Sequence, residues 1–393
     1  MASNNDKTTF NKVINRRNTN SLKWDVGEQE LPMWVADMDF KTAQCVTDAI
    51  VNKAKSGVFG YQIVPDAWYD AYINWWKSRH GLEIKRDFLC FCTGVVPAIT
   101  SSIKRLTNVG DNVVVLTPVY DIFFHSIENT GRHTLECPLA YENGRYSIDF
   151  ADLEAKLAEP LSTLLLLCNP HNPVGKVWSK GDLARIGDLC AKHGVTVLSD
   201  EIHCDITAPG VNYTPFAAVS DVCREVSVTA ISPSKAFNIA GLQSAAVFSS
   251  NEQIRAKVVR GLNSDEIAEP NAFAIEATVA AFSEEGAKWL DGLREHIAKN
   301  KATAVEFLRK SLPQVLPIEQ DATYLMWLDC SALTDDGQKL ADFIRAQTGL
   351  FVNCGNKYRG NGRYFLRLNV ACPQSTLLDG LHRLKQGILK FSR

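Results

Sequence analysis

Residues 162 to 203 read STLLLLCNPHNPVGKVWSKGDLARIGDLCAKHGVTVLSDEIH, a strand, a helix and a second strand in succession. The leucine run and the β-branched run are short, apolar and bounded by Pro, Gly and Asp, the pattern of buried strands. Between them, Ser179 and Asp182 stand in capping-box spacing, Leu183, Ile186, Leu189 and Cys190 share one helical face, and Gly194 closes the helix. Strands joined by a crossover helix pair in parallel. The same kind of run recurs at NVVVLTP (112–118), VSVTAISPS (226–234) and QSAAVFSS (243–250), so an α/β fold with an open, mostly parallel sheet is predicted.

Such sheets bind ligands beyond the carboxyl ends of their strands. The residues at those ends are then informative: Tyr120 after the first run, CNPHNPVG (168–175) after the second, Asp200 and His203 after the third, and Ser232, Ser234 and Lys235 after the fourth. A lysine, a carboxylate, an amide, an aromatic ring and two hydroxyls converge. Pyridoxal phosphate (PLP) chemistry needs that set, because the cofactor is held by a lysine as a Schiff base while a carboxylate keeps the ring nitrogen protonated. Lys235 takes the first role and Asp200 the second. Asn172 is suited to donate to the phenolic oxygen and Tyr120 to stack on the ring. Ser232 and Ser234, with backbone N–H groups from CTGVVPAITSSIKRL (92–106), are candidates for the phosphate.

Composition narrows the alternatives. Hydrophobic residues make up 46% and charged residues 22% of 393, and the net charge of −2 leaves no basic field for nucleic acid or an anionic membrane. Small-molecule partners are favoured. The amino-terminal segment has no apolar stretch, no run approaches a membrane span, and the eleven cysteines are scattered without C-x-x-C, which predicts a cytoplasmic protein with reduced thiols. No G-x-G-x-x-G follows a strand, which argues against a nicotinamide-dependent dehydrogenase.

SDEIHCD (199–205), NPHNPVG (169–175), SPSKAFNIAGL (232–242) and FLRLNVACP (365–373) resemble the signatures of fold type I PLP enzymes in the class I and II aminotransferase superfamily. FNKVINRRNTNSLKWD (10–25), PMWVADMDF (32–40), FGYQ (59–62), GVVPAI (94–99) and ATYLMWLDC (322–330) resemble the cystathionine β-lyase branch, the carbon-sulfur lyases of the MalY/PatB type. The resemblance implies a large domain (46–285) on a seven-stranded, mostly parallel sheet. A smaller α+β domain would be built from residues 1–45 and 286–393. By the same resemblance Lys235, Asp200, Asn172 and Tyr120 keep these roles. Val95 and Val96 become the backbone phosphate binders, with Ser232 and Ser234 as hydroxyl donors. Arg367 becomes the α-carboxylate clamp, and Ala36 a substrate contact on a segment over the cleft. Tyr61 would reach the phosphate of a neighbouring subunit, which implies a homodimer.

The activity so implied is α,β-elimination of L-cystathionine and related cysteine S-conjugates to thiol (homocysteine), pyruvate and ammonia. An aminotransferase shares every named residue, and a PLP-binding regulatory protein is the alternative of another class. Three features depart from the family pattern: Ala236, Thr93 and the basic, bulky segment CGNKYRGNGRYF (354–365), which bears on substrate preference. His203 and Cys204 lack a second His or Cys nearby in sequence, so packing roles are expected and no metal site is predicted. Trp34, Trp68, Trp75 and Trp76 are likewise expected to pack.

Overall fold

The apolar runs fold as strands because both their faces are covered. In the computed structural model, which describes residues 10 to 392, the large sheet contains β1 (Leu89–Cys92), β2 (Asn112–Thr117), β3 (His133–Pro138), β4 (Ser162–Cys168), β5 (Thr196–Asp200), β6 (Ser227–Ile231) and β7 (Ala245–Phe248). Their order is β1-β7-β6-β5-β4-β2-β3. Strand β7 is antiparallel to both neighbours, and the other pairings are parallel. Along β2, Val113 and Val115 join the apolar layer of Ile99 and Ile103, while Val114 and Leu116 join that of Leu183 and Ile186. A strand buried on both faces has no polar alternation, hence the unbroken runs.

The crossover helix Lys180–His193 carries its capping box, with Asp182 N donating to Ser179 Oγ at 3.0 Å, and ends at Gly194 with φ 69°. Its buried face differs by one residue from the expected one. Leu189 is only half-buried, while Gly187 is buried because a side chain there would strike Cys223 Sγ. Trp68, Trp75 and Trp76 pack in the core from the helix Asp66–His80, as their spacing predicts.

A second, antiparallel sheet comprises β8 (Leu316–Pro317), β9 (Leu325–Asp329), β10 (Asn353–Cys354) and β11 (Phe365–Asn369), in the order β8-β9-β11-β10. Register sets Trp327, Arg367 and Asn353 abreast. The helices Glu284–Ser311 and Gln374–Phe391 cover it through Leu308, Leu377 and Leu384. Leu31–Pro32 pairs in parallel with Leu350–Phe351, which draws residues 33 to 40 to the same side. Of the segment expected to join this second unit, residues 1 to 9 lie outside the described residues. Among the described residues, no helix is long and apolar enough to cross a membrane, and all eleven cysteines are unpaired.

Candidate active site

The register of the large sheet levels three strand ends, with Cys168 opposite Asp200 and Asp200 opposite Ala230. A cavity of about 250 Å³ opens just beyond them. Lys235, Asp200, Asn172, Tyr120, Val95, Val96, Ser234 and Ala36 all line it. The convergence inferred from four strand ends is therefore a single place in the fold.

Lys235 sits in a tight turn after β6, closed by Phe237 N to Pro233 O at 2.9 Å and Ile239 N to Ser234 O at 3.0 Å. Its Nζ donates to the Ala36 carbonyl at 2.9 Å. Burial, with the nearby Arg367 charge second, lowers its pKa from 10.5 to about 8, which makes a neutral amine accessible. Asp200 ends β5 and accepts from Ile202 N at 3.1 Å. Burial raises its pKa to about 7, with the charge of Glu201 adding to the effect. A carboxylate desolvated this far favours a cationic partner. Tyr120 is pushed up to about 12 by burial, so its phenol stays neutral.

At the other end of the cavity the helix Val95–Leu106 begins after Gly94. Its first backbone bond is Ala98 N to Gly94 O at 3.0 Å, so the N–H groups of Val95 and Val96 have no intrahelical acceptor, and Pro97 has no N–H. Two free donors and a helix dipole suit a phosphate. Ser232 corrects the expectation that it donates to the phosphate. Its hydroxyl donates to Ser244 O at 2.6 Å and accepts from Ser234 N at 3.0 Å, so it is spent on shaping the lysine turn. Thr93 and Gln243 line the cavity in addition. Neither stands out as a ligand in the sequence, because an isolated Thr or Gln carries no pattern.

Arg367, 3% exposed on β11, donates to Asn172 Oδ1 and to the Trp34 carbonyl, each at 3.2 Å, and its Nε is buried without a partner. The guanidinium lies 5.0 Å from the Tyr358 ring centroid. Residues 34 to 40 form a strap whose carbonyls accept from the second sheet and from the turn that follows β6. Trp34 O takes Asn353 Nδ2, Val35 O and Asp37 O take Asn369 Nδ2, and Met38 O and Phe40 O take Asn238 Nδ2. Ala36 O, central in the strap, takes both Lys235 Nζ and Tyr324 Oη. Trp34 stacks on Phe351 at 4.7 Å.

Tyr61 stands apart from this cavity. It is 99% exposed and lies in an apolar stretch with Val58, Phe59 and Ile63, all exposed. His203 and Cys204 separate. His203 lines the cavity, with Nδ1 unpartnered and its pKa lowered by burial to about 3. Cys204 instead meets His80 and Asp205, their ligand atoms within 4.8 Å, a neighbourhood that chain spacing hides. Asp205 Oδ1 there accepts from Trp75 Nε1 at 3.0 Å and lies 2.9 Å from His80 Nε2.

The donor set fits pyridoxal phosphate on the structure's own terms: free N–H groups at a helix start, a buried carboxylate short of a cation, an amine whose pKa burial lowers to about 8 and an aromatic ring on one cavity wall. Residues 31–384 match the family model "Aminotransferase class I and II". The chain is 43% identical to cystathionine beta-lyase PatB of Bacillus subtilis (strain 168), covering 96% of this chain and 99% of that one. It is 33% identical to protein MalY of Escherichia coli (strain K12), covering 96% and 98%. Among solved structures, cystalysin from Treponema denticola, containing pyridoxal 5'-phosphate, superposes with TM-score 0.94 at 32% identity over 97% and 98% of the chains. The PLP-bound C-S lyase from Staphylococcus hominis gives 0.91 at 30% identity, also over 97% and 98%.

Proposed function

Because this chain belongs to the class I and II aminotransferase family, we propose that it is a PLP-dependent carbon-sulfur β-lyase acting on L-cystathionine and related cysteine S-conjugates. The observation that carries this reading is Lys235 Nζ, partly buried, drawn down to about 8 and sharing one cavity wall with Asp200. In the same reading, residues 46–285 are the cofactor-binding domain and residues 1–45 with 286–393 the smaller one. The working unit is a cytoplasmic homodimer in which Tyr61 serves the adjacent subunit.

When bound, pyridoxal phosphate supplies an electron sink for the pair released at Cα. Each residue then has a part. Asp200 holds the proton on the ring nitrogen, Tyr120 and Asn172 fix the ring, and Val95, Val96 and Ser234 hold the phosphate. Arg367 binds the substrate α-carboxylate in a bidentate grip. Lys235 Nζ takes the Cα proton as general base in its unprotonated form, which burial brings within reach. The Cβ–S bond breaks with its electron pair leaving on sulfur, and water completes the conversion to pyruvate and ammonia. Ala36 of the strap lines the cavity, and keeping bulk water out there would strengthen each of these charge interactions.

Incubation of the purified protein with pyridoxal phosphate and cystathionine, without a keto acid, tests the proposal. Thiol and pyruvate should accumulate over many turnovers, and borohydride should fix the cofactor at Lys235. A single round that stops once the amino group has moved to the cofactor would establish an aminotransferase instead.

A further inference from the structure

Arg359 occupies backbone territory that suits glycine. Its φ of 57° and ψ of −159° lie near a region that residues with a side chain rarely enter. Such strain persists only where the surroundings hold it. Arg359 Nη2 donates to Glu128 Oε1 at 2.6 Å, Nη1 to Glu136 Oε1 at 3.5 Å, and the guanidinium covers the Phe124 ring at 4.0 Å. All three anchors belong to the large-sheet side, on the helix Ile122–Glu128 and on β3. The adjoining residues make the same crossing. Lys357 Nζ pairs with Asp121 at 3.2 Å, the Tyr358 carbonyl accepts from Val119 N at 3.0 Å, and Gly360 lies against the Thr117–Pro118 backbone.

Tyr358 links this latch to chemistry. Fully buried, it sets its ring beneath Arg367 at 5.0 Å and edge-on to Trp327 at 5.4 Å. The loop thus grips the segment that carries Tyr120 with one side and supports Arg367 with the other. We propose that Arg359 is a positioning residue: its side-chain anchors hold a strained loop that fixes Arg367 relative to the cavity, and so set the affinity for the carboxylate of an amino-acid substrate. This rests on the carboxylate role proposed for Arg367.

Two variants separate strain from anchorage. Arg359→Ala keeps the strain and loses the anchors, whereas Arg359→Gly loses both. With Arg359→Ala, KM for cystathionine should rise about tenfold while kcat changes less, the split expected when ground-state and transition-state binding are lost together. Arg359→Gly should show a smaller rise. In an Arg367→Ala background neither substitution should add to the loss. Amide hydrogen exchange at Val119 reads the latch without turnover and should quicken in Arg359→Ala. Unchanged exchange at Val119 overturns the latch. Faster exchange with unchanged KM, or with equal KM effects with and without Arg367, overturns the positioning role. If the wild-type protein turns over no cystathionine, the lyase reading fails, and binding of a non-reacting amino acid to wild type and Arg359→Ala decides the positioning role in its place.

Discussion

Asp200 and Lys235 face each other's consequences. The cofactor-free protein carries a carboxyl group raised from 3.8 to about 7 by burial, so between those pH values the unfolded chain has released a proton that the folded chain retains. Folding stability from this group therefore falls as pH rises from about 4 to 7, by an amount on the order of a few kcal/mol. Asp200→Asn removes the contribution. Urea unfolding of the cofactor-free proteins should show the variant gaining on wild type between pH 5 and pH 7.5, and parallel pH curves would contradict the burial argument. Lys235 has the opposite sign, since a folded pKa of about 8 against 10.5 makes its share of stability rise with pH across that interval. Both residues were legible in sequence because a titratable group right after an apolar run is a pattern. Ser232 also follows an apolar run, but a hydroxyl beside a turn engages local backbone groups before any ligand, as its bonds to Ser244 O and Ser234 N show. The conformation of Arg359 left no trace at all, because side-chain identity there points away from a positive φ.

At the scale of elements, the strands, the crossover helix and the tryptophan-bearing helix were readable because periodicity records burial. The strap was not. PMWVADMDF could be recognised as a likeness, but its work is done by backbone carbonyls, which every residue has. Its strongest support is Asn369, 1% exposed, whose Nδ2 donates to Val35 O and Asp37 O, both at 2.6 Å, while its Oδ1 accepts from Ala371 N at 2.8 Å. Asn369→Ala leaves the half-buried Val35 carbonyl and the buried Ala371 N–H without a partner and Asp37 O with Lys23 Nζ alone at 3.2 Å, and a loss of about 2 to 4 kcal/mol in denaturant-measured stability is expected. A loss under about 1 kcal/mol would mean that water replaces the amide. Because Ala36 lies between the two released carbonyls, cofactor uptake at Lys235 should slow in the same variant.

Across the whole molecule, the second sheet reaches the cavity wall through the bond from Arg367 to Asn172, yet one proposed ligand is turned outward. Tyr61, at 99% exposure, lies with Val58, Phe59 and Ile63 on an apolar stretch that a monomer would leave in water. In the proposed homodimer a second copy of the chain would cover that stretch and give Tyr61 a phosphate to reach, so the site would be a shared one with testable arithmetic. In a dimer of one Lys235→Ala subunit and one Tyr61→Ala subunit, one site carries both defects and the other carries neither. Mixing the two impaired proteins under conditions of subunit exchange should restore about a quarter of wild-type activity, since half the dimers are mixed and each holds one intact site. The recovery should follow the exchange rate, as measured by light scattering or native mass spectrometry on labelled subunits. Activity that stays at the average of the two parents would place Tyr61 in its own subunit's site or in none, and the apolar stretch would then need another explanation.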